Sequence, residues 1–316
     1  MALLTVGTVA FDAIETPFGK TDKIVGGAGT YIAWSASYFS KLVNIVSVIG
    51  DDFDMNELAD LRNDSGKNSI RGKVNTNGIE IKEGEKSFFW SGKYHLDMNT
   101  RDTLVTDLNV LLKFDPKIPN EYQNSDILML GNIDPALQLN VLDQLQHKPK
   151  LIVMDTMNFW MDIALDNLKK VLTRVDVLSV NDAEARQLAN ELSLVKAAKK
   201  IMTMGPKFLI IKKGEHGALL FHEDQVFFAP ALPLEEVFDP TGAGDTFAGG
   251  FCGYLDKTRN ISFDNMKRAI IYGSVMASFC VEKFGTERLK ELTKQDIEQR
   301  VKEFINLVQF DIQITE

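Results

Sequence analysis

Cysteine is almost absent. The chain of 316 residues carries two, Cys252 and Cys280, too few for the disulfide framework of a small secreted domain. Each lies in an apolar helical pattern and reads as a buried, reduced thiol, the state expected in a reducing compartment. Long hydrophobic runs are missing too, since none approaches the roughly 20 residues of a membrane-spanning helix. The start, Met1 to Val9, is apolar but short, has no basic leader, and meets Asp12 too soon for a secretory signal. It reads as a first strand, and the protein is expected in the cytosol without a membrane partner. Positive charge is scarce: 35 Lys and Arg stand against 44 Asp and Glu, a formal charge of -9, so no overall positive field favours a nucleic-acid backbone. A small-molecule partner is expected. Internal repeats, low-complexity tracts and Pro/Gly/Ser linkers are also lacking, and the 45% hydrophobic, 25% charged composition is that of a globular chain. One domain over 1–316 is therefore expected, with a small excursion inside it.

From about residue 126 onward, short β-rich apolar runs alternate with longer amphipathic ones. They are Ile127–Leu130 then Pro135–Leu145, Leu151–Met154 then Met161–Leu172, and Val175–Val180 then Asp182–Leu192. Such alternation predicts βα units on a parallel sheet. Phe208–Lys212 reads as a further strand, and Ala218–Phe221 with Val226–Ala229 as a hairpin. The 3.6-residue periodicity predicts helices over Gly244–Leu255, Asn265–Glu282 and Lys294–Leu307. Ser69 to His95 is different: Arg71–Val74, Gly78–Lys82 and Lys86–Trp90 alternate apolar with polar residues between Asn- and Gly-rich turns. That pattern predicts antiparallel strands with one wet face, either a surface excursion or a lid over a substrate.

The most informative run is Asp239-Pro240-Thr241-Gly242-Ala243-Gly244-Asp245-Thr246-Phe247. Small residues precede an acidic one at the start of a helix, which places backbone N–H groups and about half a unit of positive charge beside a carboxylate. The amides of Gly242, Ala243 and Gly244 suit the charge on a transferring phosphate, and Asp245 suits the proton of an attacking hydroxyl. A tight turn ahead of a helix with Asp in its first turn explains the same residues without chemistry. Two other motifs are excluded. No Lys follows the glycines as a Walker A loop needs, and Phe247 stands where a dinucleotide fingerprint needs its third glycine. Gly27-Ala28-Gly29 fails likewise, with Ile32 in that place.

Asp239 to Gly250 resembles the C-terminal signature of the ribokinase-like (PfkB) carbohydrate kinase family. Other matches follow in the family's order over nearly the whole chain. Gly26-Gly27-Ala28-Gly29 resembles its substrate loop, Gly50-Asp51-Asp52 its Gly-x-Asp segment, and Asn181-Asp182-Ala183-Glu184 its Asn-x-x-Glu motif. Lys213-Gly214-Glu215-His216-Gly217 resembles its nucleotide turn. The resemblance implies a three-layer α/β/α sandwich with a mainly parallel central sheet, plus a small β-sheet lid from approximately 12–24 and 69–98. It implies ATP-dependent phosphorylation of a hydroxyl on a sugar or sugar-like molecule, with Asp245 as general base and the 242–244 amides as anion hole.

Further roles follow from the resemblance alone. Asn181 and Glu184 would organise Mg2+ and phosphates, Glu184 through water, although an Asn cap with Glu in the first helical turn is the plain reading of that pair. Lys213, Gly214 and Gly217 would lie at the nucleotide, and Gly285, in the turn Phe284-Gly285-Thr286, beside the adenine. Asp12 would accept hydrogen bonds from acceptor hydroxyls, with Gly26 and Gly27 letting the acceptor approach the backbone and Asn132 in the same pocket. Asp239 is a candidate ligand for a monovalent cation such as K+. Ala28 and Tyr31 depart from the ribokinases, which carry Lys and Asn there, so ribose itself is in question as acceptor.

The carboxylate of Asp12 favours an uncharged polyhydroxy acceptor, a sugar ahead of a sugar phosphate. Phe89 and Trp90 point to opposite faces of their strand, so one is free to cover a sugar ring. The alternatives are a nucleoside kinase of the same superfamily, with Tyr31, Phe88 or Trp90 stacking on a base, and a silent sugar or nucleotide binder. An exposed lid is a candidate surface for a homodimer.

Overall fold

The computed structural model describes residues 2–63 and 70–309. Met1 and Ser69, the expected starts of the first strand and of the lid, lie outside the described residues. In chain order the strands are β1 (Leu3–Val6), β2 (Ala10–Thr16), β3 (Gly19–Lys20), β4 (Ile24–Gly26), β5 (Leu42–Gly50), β6 (Lys73–Lys82) and β7 (Phe89–Tyr94). They continue with β8 (Arg101–Asp107), β9 (Ile127–Leu130), β10 (Leu151–Asp155), β11 (Val177–Asn181), β12 (Phe208–Lys212), β13 (Ala218–His222) and β14 (Gln225–Ala229).

Nine of these form one sheet in the order β14-β13-β12-β11-β10-β9-β1-β5-β6, parallel from β12 to β6, with the β13–β14 hairpin antiparallel at one edge. The central strands are apolar without interruption because both faces are covered. In β9, Ile127 and Met129 join the core beneath the helices Ala28–Ser37, Ala243–Thr258 and Phe263–Cys280. Leu128 and Leu130 join the opposite core, beneath Pro135–Asp143, Leu165–Leu172, Asp182–Ala189 and Leu194–Met202. The result is the three-layer α/β/α sandwich implied by the motifs. Cys252 and Cys280 are buried free thiols inside it. Among the described residues no helix is long and apolar enough to cross a membrane.

The second sheet runs β3-β2-β7-β8, with β4 pairing the other edge of β2. Its composition corrects the sequence reading. Arg71–Val74 and Gly78–Lys82 do not form an antiparallel pair there. Residues 73–82 make the single strand β6, which extends the large sheet parallel to β5. The Asn-rich segment taken for a turn is absorbed by a register shift between the Asn44 and Val46 pairs, where the Asn77 amide donates to Asn75 Oδ1 at 3.0 Å. One wet face is equally the mark of a sheet-edge strand, so alternation alone did not separate the two sheets. Arg101–Asp107 was not foreseen because it is exposed along its length and carries little apolar alternation. The single helix expected over Met161–Leu172 is two, Asn158–Ile163 and Leu165–Leu172, broken at Ala164.

Candidate active site

The carboxyl ends of the parallel strands open on one edge of the sheet, where ligands of such folds collect. Asp155, Asn181 and Lys212 end β10, β11 and β12, and Asn132 follows β9 by two residues. Above them begins the helix Ala243–Thr258, with Gly242 as N-cap at φ 74°. A β-carbon on Gly242 would also stand 2.5 Å from the Tyr31 ring, so glycine is required there on both counts. The Ala243 amide donates to the Pro240 carbonyl at 3.2 Å, whereas the amides of Gly242, Gly244 and Asp245 have no partner among the described residues. They are available to an anion at the positive end of the helix.

Beneath this loop lies an ion pair that sequence reasoning missed. Lys212 Nζ stands 2.8 Å from Asp155 Oδ2 and would be 3.2 Å from a β-carbon on Gly244. Burial works against the ammonium, yet Asp155 and Glu184 together keep its pKa above the ordinary value. Asp245 feels the same cluster. Burial and the charge of Asp155 push its pKa up to about 7, while Lys212 and Arg101 pull it down. A carboxyl poised near neutrality, with uncommitted amides on its own loop and an ammonium below, is equipped to take a hydroxyl proton while anionic charge develops beside it.

Asn181 and Glu184 form a reciprocal cap: the Glu184 amide donates to Asn181 Oδ1 at 2.8 Å and the Asn181 amide to Glu184 Oε2 at 2.7 Å. Burial raises Glu184 to about 7, opposed by Lys212 and reinforced by Asp155. Its carboxylate and that of Asp155 are hard oxygen donors of the kind Mg2+ takes. Among the described residues no group of three or more His, Cys, Asp or Glu is placed to hold a metal alone.

On the opposite wall, Asp12 is buried in β2 and a β-carbon on Gly26 would fall 1.9 Å from its Oδ2. Burial raises Asp12 to about 7 against the Gly27 amide, with Asp239 and Asp245 adding to the rise. Asp239 and Asp245 thus lie near enough for their charge to reach Asp12. In the β2–β7 ladder Asp12 pairs with Trp90, so the indole stands on the Asp12 face, while Phe89 packs against the core. Asn132 is not brought into this group as a free ligand. Its Oδ1 accepts from Trp160 Nε1 at 2.8 Å and its Nδ2 faces Met157 Sδ at 3.0 Å. Asp239 accepts the Thr241 amide on Oδ1 at 2.8 Å and the Gly285 amide on Oδ2 at 2.9 Å, tying the glycine loop to the Gly285 turn. Lys213 to Gly217 is a tight turn closed by the Lys213 amide on the Gly217 carbonyl at 2.8 Å. Of the missed residues, Asp155 and Lys212 had a usable signal, since each is a charge closing an apolar strand.

Comparison with known proteins agrees with this architecture. The model for the pfkB family carbohydrate kinases matches residues 4–292. A cytidine kinase of Thermococcus kodakarensis is 30% identical over 259 residues, 80% of this chain and 88% of that protein. A nucleoside kinase of Methanothermobacter thermautotrophicus is 24% identical over 307 residues, 90% of this chain and 91% of its own. The solved structure of Burkholderia thailandensis nucleoside kinase in complex with inosine shares the fold with a TM-score of 0.75 at 19% identity, over 96% of this chain and 99% of that one. With the family pattern running through both sheets and ending beyond the glycine loop, the chain belongs to the pfkB family of carbohydrate kinases and is a phosphotransferase that uses ATP as co-substrate.

Proposed function

We propose that this kinase phosphorylates a hydroxyl of an uncharged ribosyl compound, a nucleoside ahead of a free sugar. The observation that carries the reading is the buried Asp12 carboxyl, which lies against Gly26 where a side chain would collide with it, with the charges of Asp239 and Asp245 in its field. Such a site accepts from neutral hydroxyl donors and repels a second phosphate. Trp90, on the same sheet face as Asp12, offers an aromatic surface to a ring. The likeness to a cytidine kinase and a nucleoside kinase supports putting the nucleoside ahead of the free sugar. An ATP-consumption screen over nucleosides, sugars, sugar acids and sugar phosphates with Mg2+ tests this. A specificity constant for any phosphorylated sugar above that of every neutral acceptor would overturn it. Asp12→Ala is expected to raise the acceptor's KM about tenfold or more, with that of ATP little changed.

In this reading Asp245 takes the proton of the acceptor hydroxyl, and the uncommitted amides of the 242–245 loop receive the transferring phosphoryl charge. Mg2+, when bound with ATP, neutralises phosphate charge; Glu184 and Asn181 would hold it, largely through water. Glu184→Gln is expected to raise severalfold the Mg2+ concentration for half-maximal rate. An unchanged magnesium response would leave Glu184 only its capping role. Lys213, Gly214 and Gly217 line the nucleotide side, as does Gly285. A monovalent cation beside Asp239 would share oxygens that each already accept a backbone N–H, so that carboxylate serves first as a loop tie. Strand β8 ends the small sheet with Leu104 and Val105 exposed, which supports pairing with a second copy along the lid. The two buried free thiols suit a cytosolic setting.

A further inference from the structure

The ion pair beneath the glycine loop spans a strand. Asp155 ends β10 and Lys212 ends β12, so the 2.8 Å contact between them passes over β11, which runs between the two. Asp155, Ser179 and Lys212 share one face of the sheet. Each follows by two residues a member of the core beneath the helix Ala243–Thr258, namely Val153, Val177 and Ile210, and two residues is the period of a strand face. The register pairs Asp155 directly with Ser179, on strands about 4.8 Å apart. Ser179 is therefore the residue under the bridge.

Ser179 is 1% exposed, and its hydroxyl has no hydrogen-bond partner among the described residues. A buried hydroxyl left unbonded costs free energy that an apolar side chain at this position would not. The carboxylate beside it is already occupied at both oxygens: Oδ1 of Asp155 accepts the Thr156 amide at 2.8 Å and Oδ2 accepts Lys212 Nζ. The ammonium is not. Of its three donors one goes to Asp155, and it meets no other hydrogen-bond acceptor among the described residues. It also lies against Gly244, whose amide is uncommitted, so an anionic oxygen arriving at that amide draws the ammonium away from Asp155.

We infer that Lys212 shifts from Asp155 toward the phosphoryl group in transfer, and that the Ser179 hydroxyl then takes its place on Asp155 Oδ2. The hydroxyl without a partner in the resting enzyme is the donor of the second arrangement. Asp155 keeps a donor on each oxygen in both, Thr156 with Lys212 in one and Thr156 with Ser179 in the other, so the ammonium moves without stranding a buried carboxylate. Ser179 is a positioning residue, which acts on Lys212 through Asp155 and does not touch the transferred group. The inference rests on the phosphotransfer reaction alone and holds for whichever hydroxyl acceptor is used.

Melting and kinetics of Ser179→Ala test it. Without ligands the variant is expected to melt no lower than the wild type, because the hydroxyl bonds nothing in that state. With saturating ATP and the best acceptor from the screen above, kcat is expected to fall about tenfold, the scale of one hydrogen bond to a charged group, with both KM values within about threefold. Ser179→Thr keeps the hydroxyl and is expected to recover most of the rate. In an Asp155→Asn background, Ser179→Ala is expected to change kcat by less than about twofold, since the neutral amide leaves no charge for the hydroxyl to hold. Wild-type turnover in Ser179→Ala, or the same tenfold loss in the Asp155→Asn background, would overturn the exchange. So would a lower melting temperature of unliganded Ser179→Ala, which would mean that the hydroxyl is already bonded through water in the resting enzyme.

Discussion

Asp245→Asn is expected to fold, bind ATP and turn over at least about a hundredfold more slowly than the wild type, the scale on which a general base contributes. The carboxylate stands in the first turn of the helix, where the amides of Gly242, Gly244 and Asp245 itself are uncommitted, and it is the acidic residue of that turn. Its pKa also gives the wild type a pH signature. Burial and Asp155 hold Asp245 at about 7, so the basic form grows as pH rises through that value, and kcat should rise with it. The stability change has the opposite sign. A carboxyl whose folded pKa exceeds its unfolded one leaves the folded state binding more protons, so its ionisation destabilises the fold as pH climbs from about 4 to 7. Asn removes that penalty, and the variant should melt no lower than the wild type near neutral pH. Near-normal turnover in a variant with an intact melting transition would remove Asp245 as the base.

Lys212→Met is expected to lose about 3 kcal/mol of stability and most of the turnover, because it strands the carboxylate of Asp155 without its buried partner. The ammonium also lowers the pKa of both Asp245 and Glu184. Its loss should therefore move the rising limb of the kcat profile to higher pH. Combining it with Asp155→Asn separates the two effects: removing both charges should restore much of the stability, since no unpaired charge remains, while the rate stays low. Denaturant unfolding and a pH–rate profile read these independently. A single variant as stable as the wild type, with an unshifted rising limb, would show that the pair is solvated rather than part of the site.

What the sequence alone determined is whatever a short stretch of chain encodes in itself. The apolar run Phe208–Lys212 is a strand with those bounds, the reciprocal cap at Asn181 and Glu184 forms as its spacing predicts, and the helix after Gly242 begins where small residues and Asp245 allow. Each depends on neighbours within a few residues: side-chain period, a capping oxygen, or a backbone angle open only to glycine. The motif order carried the layered architecture further than period alone. Tertiary structure decided the partners. Lys73–Lys82 carries the alternation of a half-wet strand, and only its place beside β5 put it in the large sheet rather than the lid. Asp155 and Lys212 are 57 residues apart and meet because β10 and β12 flank β11 in the sheet, with their carboxyl ends at one edge. The pairing of Arg101 with Tyr94 and the contact of Asn99 with Glu215 exist only in the β7–β8 register and the fold that brings that hairpin to a turn more than a hundred residues away. The pKa values followed last, because the burial that raises Asp12, Glu184 and Asp245 exists only after these distant strands have closed around them.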